Sequence, residues 1–352
     1  MREFASAAAT CAVGLVLFSG TATASLRGQQ TSARLERFLR ESIGLDAGQL
    51  AAIARGEAVV KVLDSESRRD VAVFGIITVN VPRNAYIALV GDFQNSLRTP
   101  TRRRFGIFGN PAAASDVEAV TISEQDVADM RDCKPGDCVA KLPATDMLRI
   151  HREVDWSAPD RQARMNSYAR QRLLDYVTAY RARGDSAMVV YDDRGTMNVR
   201  ASDAFAALLA ASPYVYQNVP SLVRYLSSYP RGTLTDAREV LFWSEDVLPR
   251  LRPILSVTHQ VVYQPPEFPG MTLVVAKQLY ANHYFEAAFD LTSVVDRPAP
   301  GSSYVLVLRR FRFDNLPEGI LNIRGRAIGA LRDQLLADVR RQKATAERAH
   351  ER

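Results

Sequence analysis

Between Val71 and Val81 the odd positions read Val71, Val73, Gly75, Ile77, Val79 and Val81, while the even ones read Ala72, Phe74, Ile76, Thr78 and Asn80. Side chains alternate across a strand, so this pattern predicts a strand with one fully apolar face and a second face that turns polar toward its end. Pro82 has no N–H to continue a ladder, and its fixed φ suits the first turn of a helix. Tyr86, Leu89, Val90, Phe93 and Leu97 then recur at helical spacing, which predicts a helix turning back onto the sheet.

The rest of the chain is built outward from this stretch. Upstream, Leu35, Phe38, Leu39 and Ile43 predict a helix stopped by Gly44, residues 46–55 predict a second one, and residues 59–63 a strand antiparallel to the Val71 strand. Downstream, a strand is predicted over 117–122, followed by a short helix opened by Ser123 and Asp126. A long helix over 159–183 carries Leu173, Leu174, Val177 and Tyr180 and stops at Gly184. A hairpin around Asp192-Asp193-Arg194-Gly195 comes next, and then helices over 202–211, with Ser202 as its cap, and 220–229. Strands return over 240–244, 254–263, 273–291 with a break near Asn282, and 304–313, joined by proline-rich turns as in an antiparallel meander. A last helix over 317–344 places Ile320, Ala327, Ile328, Leu331, Leu335 and Val339 on one face.

Strand, strand, Val79-x-x-Pro82, a helix with a late Asp92-Phe93, an antiparallel meander and one long C-terminal amphipathic helix: this order resembles the START-like (helix-grip) superfamily, which includes polyketide cyclases and lipid-transport proteins. The resemblance covers residues 57–97 and about 253–344. It implies an α+β fold in which a curved antiparallel sheet grips the last helix, with a cavity between them for a lipid, sterol or polyketide. The departure is large, because residues 100–252 would form a mostly helical and hairpin insertion. The expected organisation is a signal peptide over 1–24, a helical segment over 25–56, START-like sheet and helices over 57–99 and 253–344, the insertion over 100–252, and a frayed tail over 345–352.

Composition adds the compartment. Arg2, an apolar run over 4–18 and Ala22-Thr23-Ala24 form the pattern of a cleaved signal peptide, and the run is shorter than the ~20 residues a membrane span needs. The expectation is an exported protein, periplasmic or secreted, cut after Ala24. The net charge is +6, but only five of the 45 basic residues are lysine, an arginine bias that reads as genome composition. With an export signal and no basic aromatic stripe, nucleic acid is not an expected partner; a weak peripheral contact with anionic lipid headgroups is compatible with the charge. Arg102, Arg103 and Arg104 read as a solvated strand end before they read as an anion clamp. Cys133-Lys-Pro-Gly-Asp-Cys138 sets two cysteines about a Pro-Gly turn, which in an oxidising compartment predicts a structural disulfide.

No nucleophile elbow, zinc-protease helix, phosphate loop or dinucleotide-binding glycine pattern occurs, so no catalytic residue, cofactor or metal ligand is assigned. The candidate ligand-binding set comes from strand parity. His259, His283 and Arg309 are polar exceptions on apolar strand faces, His283 sharing its parity with Phe285 and Arg309 with Phe311. If no bulge intervenes, the three would form a cationic cluster that anchors the polar head of an apolar ligand; satisfied structural residues are the competing reading. Tyr214, Tyr216, Tyr225 and Tyr229 read as core packing between helices rather than a ligand site. Three functions follow: an exported binding protein for a lipid, sterol-like or polyketide-like molecule; an envelope scaffold that binds another envelope protein and no small molecule; and a cyclase-like enzyme. The oligomeric state leaves no signal. N-terminal sequencing of protein recovered from the envelope should return Ser25; recovery of Met1 would refute cleavage.

Overall fold

The computed structural model describes residues 33–196, 198–248, 251–314 and 323–352. The signal segment and Ile320 lie outside the described residues. Residues 33–42 are helical and end before Gly44, whose φ is +70°. Helix α1 (Ala47–Ala54) opens in a capping box: Asp46 Oδ1 accepts from Gln49 N at 2.8 Å, and Gln49 Oε1 accepts from Asp46 N at 3.0 Å.

The Val71 stretch forms β2 (Asp70–Val79), antiparallel to β1 (Val59–Leu63). Pro82 then caps α2 (Arg83–Gly91). The single helix expected to reach Leu97 is divided at Asp92, whose carboxylate accepts from Asn95 N at 3.3 Å and starts the short α3 (Phe93–Ser96). Next come β3 (Arg102–Ile107), α4 (Glu124–Met130), α5 (Ala144–Glu153) and α6 (Arg161–Arg183), which ends where Gly184 takes φ +57°. A Cβ at Gly184 would sit 1.7 Å from Tyr229 O, so no other residue fits there. The hairpin β4 (Val190–Tyr191) and β5 (Val199–Arg200) is followed by α7 (Ala201–Ala210), α8 (Pro213–Asn218) and α9 (Pro220–Ser228). Ser202 does not cap α7; Arg200 occupies the N-cap position and the Ser202 hydroxyl meets Asp203. The strands β6 (Arg238–Asp246), β7 (Ile254–Tyr263), β8 (Met271–Ala281), β9 (Phe285–Asp296) and β10 (Ser303–Phe313) precede the long helix α10 (Ile323–His350).

Eight strands form one antiparallel sheet in the order β1-β2-β10-β9-β8-β7-β6-β3. The fold is thus α+β, a large antiparallel sheet with a long C-terminal helix against it, an arrangement compatible with a helix grip. Two strands come from the segment expected to be an insertion: β6 pairs with β7, and β3 forms the edge beyond it.

Register fixes what each face carries. Val73, Arg309, Asp290, Ala276, Gln260 and Val240 are successive cross-strand partners on one face. There, Leu335 and Val339 of α10 are fully buried with Val73, Ile77, Val307 and Tyr86. Each such apolar side chain contributes about 2 kcal/mol by burial. A Cβ at Gly75 would come within 3.2 Å of the Leu335 side chain, so glycine at that position lets the helix settle against β2. Gly329, by contrast, has no atom within 4 Å of where a Cβ would stand, and close packing does not explain it.

The opposite face carries Phe74, Leu308, Leu291, Val275 and Val261 in register. The N-terminal helices cover Phe74 and Ile76 with Leu39, Ile43 and Ile53. Phe205, Leu208, Leu222 and Leu226, from α7 and α9, cover the centre. Helices α4, α5 and α6 cover Leu255, Val257 and Leu279. The expected strand over 117–122 is absent: a 3-10 turn at Ala114–Val117 leads into an irregular segment. Its backbone is satisfied by polar side chains of α6 instead of a neighbouring strand, with Ile122 N donating to Asn166 Oδ1 at 2.9 Å and Val120 O accepting from Arg170 Nε at 3.0 Å.

Cys133 and Cys138 form the expected disulfide, their Cα atoms 4.5 Å apart. Their turn docks on the β4–β5 hairpin, Gly136 N donating to Asp192 O and Cys138 N to Asp193 O. By loop-closure entropy, a bond closing a six-residue loop contributes about 2 kcal/mol.

Arg309 ties α10 to the sheet. Its Nε donates to Asp290 Oδ2 at 2.9 Å and its Nη1 to Asp338 Oδ2 at 2.6 Å, while Arg341 donates to the other Asp338 oxygen at 2.6 Å. Breaking a fully buried pair costs roughly 3–5 kcal/mol. Arg309→Met should cost less, about 2 kcal/mol in urea unfolding, because Asp338 keeps Arg341 and the Asp290 side chain is 37% exposed. An unchanged midpoint would show that the pair does not hold the helix.

Candidate functional site

The structure divides the residues that parity had placed together. Arg309, Phe285 and Phe311 do share the α10 face, where the Phe285 and Phe311 rings lie 5.4 Å apart with Phe313 beside them. Arg309 is committed to Asp290 and Asp338. His283 is not on that face: it occupies the turn between β8 and β9, and its Nε2 lies 3.1 Å from Asp126 Oδ1 of α4. Burial alone would raise the Asp126 carboxyl, but hydrogen bonds from His283 and Arg252 outweigh it and hold the group below its ordinary value.

His259 lies on the opposite face, under α6 and α9. Its Nδ1 is 3.1 Å from the Tyr180 hydroxyl and its Nε2 3.3 Å from Glu239 Oε2, and the rings of Tyr229 and Tyr225 pack around it. Tyr225 also donates to Glu239. Next to His259 in register, Lys277 is fully buried, bonded to Asp185 and to Leu226 O and set 4.5 Å over the Phe205 ring. These groups satisfy one another. Tyr214 stands apart against Phe38, and the Tyr216 side chain lies outside the described residues. The arginine run of β3 is paired by its neighbour strand, Arg102 with Asp246 and both Arg103 and Arg104 with Glu245, which leaves one positive charge in excess.

Open volume lies elsewhere. Between α5, α6 and the ends of β7 and β8 is a cavity of about 190 Å³. Apolar walls come from Met130, Leu142, Ile150, Met165, Leu173 and Leu255, and polar ones from Asp146, Tyr168, Arg172, Tyr176, Tyr280 and Asn282. Tyr168, Arg172 and Tyr176 recur every four residues, so one stripe of α6 supplies them. Tyr280 arrives by a bulge. Across from β8, Thr258 pairs with Gln278 and Val257 with Tyr280, so Leu279 is skipped and Tyr280 turns to the cavity face rather than the α10 face.

Most polar groups of the wall are paired. Arg172 Nη2 donates to Asp146 Oδ2 at 3.2 Å, while its Nε, 2.9 Å from Asp146 Oδ1, is not aligned for a hydrogen bond; Tyr168 donates to Asp146 Oδ1 at 3.3 Å, and Tyr176 donates to Leu279 O at 2.6 Å. Asn282 Oδ1 accepts from Leu255 N at 2.8 Å. The Tyr280 hydroxyl has no hydrogen-bond partner among the described residues, and burial pushes it well above the ordinary phenol value. It therefore stays a protonated phenol, able to give and accept one hydrogen bond. Parity reasoning missed this site because it lies under the segment treated as an insertion; the Tyr168, Arg172, Tyr176 spacing was the available signal.

Among the described residues, no group of three or more His, Cys, Asp or Glu side chains is arranged to hold a metal, and no helix is long and apolar enough to cross a membrane. Comparison with protein-family models, with curated proteins and with solved structures gave no match.

The His259 cluster gives a pH dependence with a definite sign. Burial lowers the imidazole from its ordinary value, more than the Glu239 contact raises it. A folded value below the unfolded one contributes stability at pH above about 6.5 and loses it as pH falls toward the folded value. Glu239, held low by its hydrogen bond from His259, acts in the same direction at lower pH. Unfolding midpoints should therefore drop as pH falls below about 6.5, and His259→Gln should flatten that part of the curve. A drop of the same size in the variant would assign it to other groups.

Proposed function

We propose that the protein is an exported binding protein for a hydrophobic small molecule, held in the cavity between α5, α6 and the sheet. The observation that carries this is an apolar cavity of about 190 Å³ whose wall includes a hydroxyl without a partner. Ligand sites are mostly apolar concavities with a few placed polar groups, and a wall hydroxyl with no protein partner is an opening for a ligand to pair with it. Export is supported by the N-terminal pattern and by a disulfide whose turn sits beside Met130 and Leu142 of the cavity wall. A distant START-like kinship is supported by the helix-gripped antiparallel sheet; in this reading the ligand sits on the face of the sheet away from α10.

Mass spectrometry of an organic extract of purified protein should find one compound at near-stoichiometric amount. Ala169 lines the cavity, and Ala169→Leu would fill part of it. That variant should yield an empty extract while its melting temperature stays equal or rises, since added carbons occupy void rather than displace neighbours. If neither the extract nor any added hydrophobic compound raises the melting temperature of the wild type, the binding function is wrong.

A further inference from the structure

We infer that the ligand of this cavity is a compact, uncharged ring compound of about ten non-hydrogen atoms with one hydroxyl or carbonyl oxygen, which exchanges a hydrogen bond with Tyr280. This rests on the binding function proposed above and narrows it, because it excludes acyl chains, sterols and polyketides.

Size is the first ground. An engineered apolar cavity of about 150 Å³ takes benzene, so a somewhat larger one encloses a substituted single ring or a small bicycle, and a steroid skeleton would have to project out of it. The cavity here is about 190 Å³. Its walls are tied in place: Tyr176 of α6 bonds to Leu279 O of the sheet, and Asn282 bonds to Leu255 N.

Charge is the second ground. The charged side chains of the wall, Asp146 and Arg172, neutralise each other at 2.9 Å. A ligand carrying a charge would enter without a counterion, at a cost of several kcal/mol. Shape of the wall is the third. The rings of Tyr168, Tyr176 and Tyr280 and the thioethers of Met130 and Met165 favour a flat or π-faced occupant. Finally, the bulge at Leu279 aims one phenol into this space and leaves its hydroxyl free, which fixes one oxygen on the ligand.

The test uses the full mature chain, titrated calorimetrically with p-cresol, toluene, dodecanoic acid and N-phenyl-1-naphthylamine. p-Cresol should bind more tightly than toluene, and the two long or large probes should not bind. Tyr280→Phe should keep the melting temperature, since the hydroxyl holds nothing in the protein, weaken p-cresol about tenfold and leave toluene unchanged. Binding of dodecanoic acid or the naphthylamine that Ala169→Leu abolishes would overturn the ligand class and keep the binding function. So would p-cresol failing to bind while an organic extract raises the melting temperature. Equal weakening of toluene and p-cresol by Tyr280→Phe would remove the hydrogen bond from the inference. Silence from every probe and from the extract would overturn both.

Discussion

The molecule depends on a sheet that has to be covered on both faces. All ten residues of β2 and all ten of β7 are buried, so neither strand has a side that can face water. Antiparallel sheets often leave one face solvated, with apolar and polar residues alternating; here both faces are mostly apolar over the centre of the sheet, and polar exceptions such as Arg309, His259 and Lys277 are paired. α10 and the α2–α3 pair cover one face. The other needs the N-terminal helices and everything from α4 to α9. The middle of the chain is therefore no appendage: it closes the second face and adds β3 and β6 to the sheet itself.

Buried charge decides where that cover sits. Lys277 of β8 reaches Asp185 after α6, His259 of β7 reaches Tyr180 within it, and Asp126 of α4 takes both His283 and Arg252. Lys141, also buried, meets Asp193 at the tip of the β4–β5 hairpin. Each is a polar group that would be costly unpaired, so sliding the cover along the sheet would break several pairs together. Apolar packing alone is indifferent to such a slide, and these contacts fix one position out of many.

Most elements were legible because their periods were clean. The β2 alternation, the α6 stripe, the meander strands and the Pro82 turn stand where the pattern puts them, and Cys133 and Cys138 pair as their spacing suggested. What failed were inferences that carry parity across an irregularity. A bulge leaves no mark in composition, so skipping Leu279 could not be read, and the turn at 282–284 removed His283 from any strand face. Arg309, in an unbroken part of β10, faces the last helix as parity required. Residues 117–122 failed for another reason: an apolar run reads the same for a strand as for a buried irregular segment, and only the presence of Asn166 and Arg170 on α6 decides between them.

The cavity bears on stability. Empty space enclosed in a core costs about 24 cal/mol per Å³, and the part of this space that the protein seals from solvent carries that cost. The disulfide closing a short loop beside the wall contributes about 2 kcal/mol in the other direction. Larger apolar side chains at Ala169 or Ala187 would fill this space without touching the bond from the Tyr176 hydroxyl to Leu279 O that holds α6 to β8. Alanine at both positions, with Tyr280 on the same wall, is what leaves this space open between α6 and the sheet.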